Sequence, residues 1–201
     1  MSFKYAVLKK LVAAAGLKKR WLSATTESGS RTEDKPMLVI KLILEGLGLG
    51  FLLYLICAVG IRNGAIGMVH LYDQKVRERV IQLGMTTQEA IRRRGALFRG
   101  LCLPAYMAYV LVCVWGINGA RGFWPGFWQG FVILSIMNLI DRLLIDDYWV
   151  GHTKAWIIPG TEDLRPYITA SDKKKKWIVG TVGMAVLAAV LSGVMAIIVR
   201  Q

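Results

Sequence analysis

Apolar positions in this chain neither alternate nor recur as a narrow stripe. They gather into four long runs, at about 37–61, 98–117, 123–145 and 177–199, separated by two strongly charged connections and one short turn. A helix needs about 20 apolar residues to cross roughly 30 Å of hydrocarbon, and each run has that length. The pattern predicts an all-α fold, a polytopic integral membrane helical bundle with four hydrophobic segments. The last run carries no charge. The first leaves two topologies open. A re-entrant course is suggested by Gly46, Gly48 and Gly50, and by Lys41 and Glu45 at pairing distance along a helix. A full crossing is favoured by the uncharged stretch 46–61 and by the cost of irregular backbone in lipid.

Two regions follow. Residues 1–36 form a basic tail in which Phe3, Val7, Leu11 and Ala14 share one helical face, so a surface-lying amphipathic helix is expected before a polar linker. Residues 37–201 form the transmembrane domain. Its first loop reads as two helices, one over about 71–83 stopped by Gly84, and one capped at Thr86-Thr87 and running into the membrane. Pro104 is expected to bend the second segment.

Composition agrees with this reading. The chain has 201 residues, 55% of them hydrophobic, and only 19% charged; its mean hydropathy is +0.45. That is too apolar for an ordinary soluble domain. The net charge of +13 is read as orientation and attraction to anionic lipids rather than nucleic-acid binding. The loops at 62–99 and 145–176 are strongly basic, whereas the turn between the second and third segments carries only Arg121. Those loops are therefore expected in the cytoplasm of a multi-pass cell-membrane protein, with the side of the N-terminus open. Tryptophans cluster at both ends of the spans, among them Trp124 and Trp128 at one and Trp149, Trp156 and Trp177 at the other, as in two interfacial belts. Cys57, Cys102 and Cys113 lie in apolar runs without a CxxC pair and read as packing residues.

Small residues recur every four positions: Gly122, Gly126 and Gly130; Gly46 and Gly50; Thr181, Ala185, Ala189 and Gly193. Such stripes let helices approach closely in lipid, within one bundle or in a homo-oligomer.

The candidate chemistry lies at the end of the third segment. Asn138, Arg142 and Asp146 follow i, i+4, i+8, and Asp141, Tyr148 and His152 follow i, i+7, i+11. A charge at membrane depth costs about 2.5–3.5 kcal/mol, so these groups should face protein or water and pair. Three functions compete. The first is a binding or catalytic site for a lipid head group or small polar molecule. Asp147 and His152 would be its acid-base pair, with Asn138, Asp141, Arg142, Asp146, Lys154 and Arg94 contacting the ligand. The second is an oligomeric channel or transporter subunit, and the third a non-catalytic partner subunit. A divalent metal would find donors in Asp146, Asp147, His152 and His70, although no HExxH spacing occurs.

Overall fold

The computed structural model describes residues 34–199. The chain divides into two compact units, Met1–Lys41 and Leu42–Gln201. In the first unit only the opening turns of one helix are described. The surface helix expected in the basic tail lies outside the described residues.

Among the described residues five α-helices follow one another: α1 (Asp34–Gly60), α2 (Gln74–Gln82), α3 (Gln88–Leu111), α4 (Phe123–Ile140) and α5 (Ala170–Val199). Four spans, over 36–60, 88–117, 123–150 and 170–198, are long and apolar enough to cross a membrane. The bundle is therefore of the polytopic membrane type. α1 runs unbroken through Gly46, Gly48 and Gly50, so these glycines do not end the helix in a re-entrant turn. They bring other helices close instead. A Cβ on Gly46 would stand 2.6 Å from the side chain of Ile136 on α4, and one on Gly48 would stand 2.6 Å from the Tyr109 hydroxyl on α3. Tyr109 donates to the Glu45 carbonyl at 2.9 Å, and Asn118 Nδ2 donates to the Glu45 carboxylate at 2.9 Å.

The remaining faces are apolar and uncovered: Leu101, Val179 and Ile197 are each 70% exposed. Such surface is expected where the solvent is lipid and would be a liability in water.

Local chemistry sets the boundaries. Thr87 accepts a hydrogen bond from the Ala90 amide at 3.2 Å, capping α3 as its sequence predicts. α2 ends where Gly84 takes a positive φ of 70°, a conformation that L side chains seldom adopt. α3 passes through Pro104, which cannot donate to the Gly100 carbonyl, and continues as a π-helical turn over Val112–Ile117. α4 changes winding at its polar end. Phe123–Ile140 are α-helical, and Asp141–Val150 continue as a π-helix.

α4 is the axis of the assembly. Gly180 of α5 seats against Asn138, with only 2.7 Å between Asn138 Oδ1 and the place a Cβ would occupy. Farther toward the short turn, a Cβ on Gly130 would touch both Val110 of α3, at 3.6 Å, and Ala188 of α5, at 3.8 Å. Gly126 lies against Trp115 and Ser192. The glycines of α1 and α4 thus build the bundle itself. Of the stripe Thr181, Ala185, Ala189 and Gly193, nothing stands within 4 Å of a Cβ on Gly193, while the neighbouring Ala188, Leu191 and Ser192 are buried.

Candidate functional site

At the end of the bundle carrying the two longer loops, the helices line a partly open cavity of about 590 Å³. Its walls come from every span: Leu53 and Cys57 of α1, Cys102, Leu103 and Tyr106 of α3, Leu134 and Met137 of α4, and Met184 and Leu187 of α5. Its far end is ionic. Asp141, Arg142 and Asp146 enter it from α4, Lys176 and Asp172 from α5, Arg99 from α3, and Asp73 from the first loop.

The ionic end is one connected network. Arg142 Nε donates to Asn138 Oδ1 at 3.4 Å, one guanidinium nitrogen meets Asp141 at 3.0 Å, and the other bonds Asp146. Lys176 reaches Asp146 from α5 at 3.1 Å. Two carboxylates and two cations therefore balance. The network is half-buried, and ionisable groups gathered on helices long and apolar enough to span a membrane mark a functional candidate by default.

Toward the loops the cavity is roofed by aromatic side chains. The Tyr72 hydroxyl donates to the Trp156 carbonyl at 2.5 Å. The rings of Tyr72 and Tyr167 meet edge to face at 5.2 Å, and Thr161 shares a 2.9 Å hydrogen bond with the Tyr167 hydroxyl. Trp156 is 2% exposed and stands at right angles to Trp149. It belongs to this roof and not to an interfacial belt. Burial, and secondarily the nearby Tyr167, raise the Tyr72 phenol above its ordinary pKa, so it remains a donor throughout the usual pH range. Outside the roof, Arg79 of α2 pairs with Asp163 at 3.2 Å and so ties the two loops together.

The structure assembles only part of the set chosen from sequence. Asp141, Arg142 and Asp146 line the cavity, and Asn138, 4% exposed, supports Arg142 from below. Asp147 is turned away: it pairs with Lys173 on the rim of a smaller cavity of about 210 Å³, beyond Arg142 and Asp146. His152 is exposed, with Nδ1 2.9 Å from the Asp147 backbone carbonyl and its ring stacked on Tyr148. The side chains of Asp147 and His152 therefore do not meet as an acid-base pair, and His152 does not line the cavity. The change of winding also breaks the expected grouping of Asp141 with Tyr148 and His152. A π-helix advances less around its axis per residue than an α-helix, so seven steps from Asp141 no longer return to the same face.

Lys154 is exposed and Arg94 donates to the Ile66 carbonyl at 3.0 Å; neither lines the cavity. His70 packs its ring on Phe98 at 5.1 Å. Burial, then the charges of Arg99 and Arg94, lower its pKa. Among the described residues no three His, Cys, Asp or Glu side chains come together as a metal site. The proposed metal donors are thus dispersed: Asp146 is held by Arg142 and Lys176, Asp147 by Lys173, and His70 by its apolar contact.

Sequence reasoning passed over Tyr72, Tyr167 and Lys176, and took Arg99 as one of four arginines facing lipid phosphates rather than as part of this cavity. The lysine run 173–176 was visible, but as the charged end of a span. Only the packing of α5 on α4 turns Lys176 toward Asp146. No known family model, curated protein or solved structure matches the chain.

Proposed function

We propose that this is an integral membrane protein that binds a single amphiphilic molecule, its polar head at the Asp141–Arg142–Asp146–Lys176 network and its apolar part along the walls of α3, α4 and α5. The observation that carries this reading is the two-part lining of the 590 Å³ cavity. Its volume falls in the range of small-molecule sites, and a mostly apolar wall with a few convergent polar groups is their usual construction. The site lies on the cytoplasmic side in this reading, because the loops at that end hold most of the basic residues of the transmembrane domain. Asp141 and Lys176 contact the head, while Arg142 and Asn138 fix the position of Asp141.

The test is the native mass of the protein released in mild detergent. The wild type is expected to retain one small molecule, and Cys102→Trp and Leu53→Trp, which fill the apolar walls, are expected to lose it while eluting at the same size. An empty wild type under gentle extraction, or equal retention by both filled variants, would remove this function.

A further inference from the structure

We propose that His70 is an acid-sensitive latch on the first loop: as a neutral ring it seats Ala65–Leu71 on α3 and closes that wall of the cavity, and as an imidazolium it drives the loop off α3. The device does not depend on what the cavity holds.

The loop between α1 and α2 forms a short 3₁₀-helix over Ala65–Leu71, and so short a piece has little stability of its own. Contacts with α3 hold it. Arg94 donates to the Ile66 carbonyl at 3.0 Å, and the His70 ring lies on Phe98 with centroids 5.1 Å apart. Gly95 of α3 makes room, since His70 Cβ stands only 3.4 Å from the place its own Cβ would take. The two sides of this seam continue into the cavity, Leu71, Tyr72 and Asp73 from the loop and Phe98 and Arg99 from α3. A change at His70 therefore reaches the cavity wall.

The seat suits only the neutral ring. Both imidazole nitrogens are buried and neither has a hydrogen-bond partner. Adding a proton there would create a second unpaired donor and a charge. Cations already stand beside it. Arg99 Nη1 and His70 Cδ2 lie 3.6 and 3.7 Å from one point, the place of a Cβ on Gly95, and Arg94 reaches the same loop. Arg62, between α1 and the loop, is a further cation. Asp73, the nearest carboxylate along the loop, is exposed. On α2, which also packs on this loop, Glu78 is engaged by Gln74 and Arg79 by Asp163, while Lys75 and Arg77 add only positive charge. No metal-binding group of side chains includes the ring among the described residues. Burial, then Arg99 and Arg94, accordingly lower the pKa of His70.

Once the loop leaves α3 the ring meets water, where the ordinary histidine value of about 6.5 applies. The open form then binds a proton that the closed form does not. Closure is full above that value and is lost as pH falls through it toward the lower pKa of the closed form, by at most about ten-fold per pH unit.

Amide exchange of the full chain in detergent at pH 7.5 and pH 5.0, corrected for the intrinsic effect of pH on exchange, tests the latch. The amides of Gly67 and Tyr72 donate to the Gly64 and Val69 carbonyls at 3.1 Å each; in the wild type they are expected to lose protection at least five-fold at pH 5.0, while α4 and α5 keep theirs. His70→Phe, which keeps a ring on Phe98 but takes no proton, should show no such loss. Asp163→Asn, which removes the carboxylate tying the two loops together, should leave the acid response in place. His152→Gln leaves a single imidazole in the chain, and its resonance should titrate with the same midpoint as the loss of protection. The latch is overturned by an equal acid loss in His70→Phe, by a response that vanishes in Asp163→Asn, by a uniform loss across all helices, or by an imidazole midpoint that does not coincide with opening.

Discussion

Asn138 Oδ1 sits 2.7 Å from the place a Cβ would occupy on Gly180, so α5 can lie on α4 at this level only because residue 180 has no side chain. The same oxygen accepts from Arg142 Nε. One buried amide thus sets both the spacing of two spans and the position of the cation that organises the cavity.

Replacing Gly180 with valine is expected to destabilise the bundle by about 1–3 kcal/mol, the usual range for overpacking. Gly183→Val, three residues away and unobstructed, should change stability by less than about 0.5 kcal/mol. Unfolding in mixed micelles compares the two. Equal effects would place the α4–α5 contact elsewhere.

Arg142→Leu removes the cation between Asp141 and Asp146, whose side chains are 26% and 15% exposed. Asp146 keeps Lys176, but Asp141 loses its only direct ion pair among the described residues. A loss of about 3 kcal/mol is expected, with most of it recovered in Asp141→Asn/Arg142→Leu, where no uncompensated carboxylate remains. A double variant no more stable than Arg142→Leu would show that the guanidinium acts by packing alone.

Tyr72→Phe keeps the ring and deletes the donor to the Trp156 carbonyl. The expected cost is about 1 kcal/mol, concentrated in the roof. Amide exchange should accelerate across 153–168 and stay unchanged in α4 and α5. Uniform acceleration would mean that the roof is not a local unit.

His70 has a lowered pKa in the folded protein because burial and the charges of Arg99 and Arg94 oppose its protonation. The unfolded chain then binds more protons than the folded one below the ordinary histidine value of about 6.5. Stability is therefore full above that value and falls as pH drops through it toward the folded pKa. Melting temperature should decline between pH 7.5 and 5.5, and His70→Phe, which preserves the ring against Phe98, should flatten that decline. An unchanged slope in His70→Phe would assign the dependence to other groups.

How much of this was legible in the residues differs between elements. The spans were, because length and hydropathy alone decide whether a helix can cross lipid. The Asn138–Arg142–Asp146 ladder was legible too, since neighbours four apart meet on a helix and the pairing survives the change of winding. The grouping of Asp141 with Tyr148 and His152 assumed an α-helix throughout, and no residue spacing announces the π-helical stretch that separates them. Arg99, Tyr72 and Lys176 come from three other elements, and only tertiary packing brings them to the cavity. Trp156 looked like an interfacial tryptophan because composition shows where an aromatic lies along the chain, not which way its loop folds.

The dependence of α4 on α5 also has a consequence for biogenesis. Lys173 and Lys176, the partners of Asp147 and Asp146, are translated 26 and 30 residues after them, and Gly180, which covers Asn138, follows later still. When α4 leaves the ribosome its polar end has Arg142 as a companion but no lysine and no neighbouring backbone. A nascent chain arrested before α5 would hold that end against water or an insertion factor, and α5, on arrival, would complete the span before it.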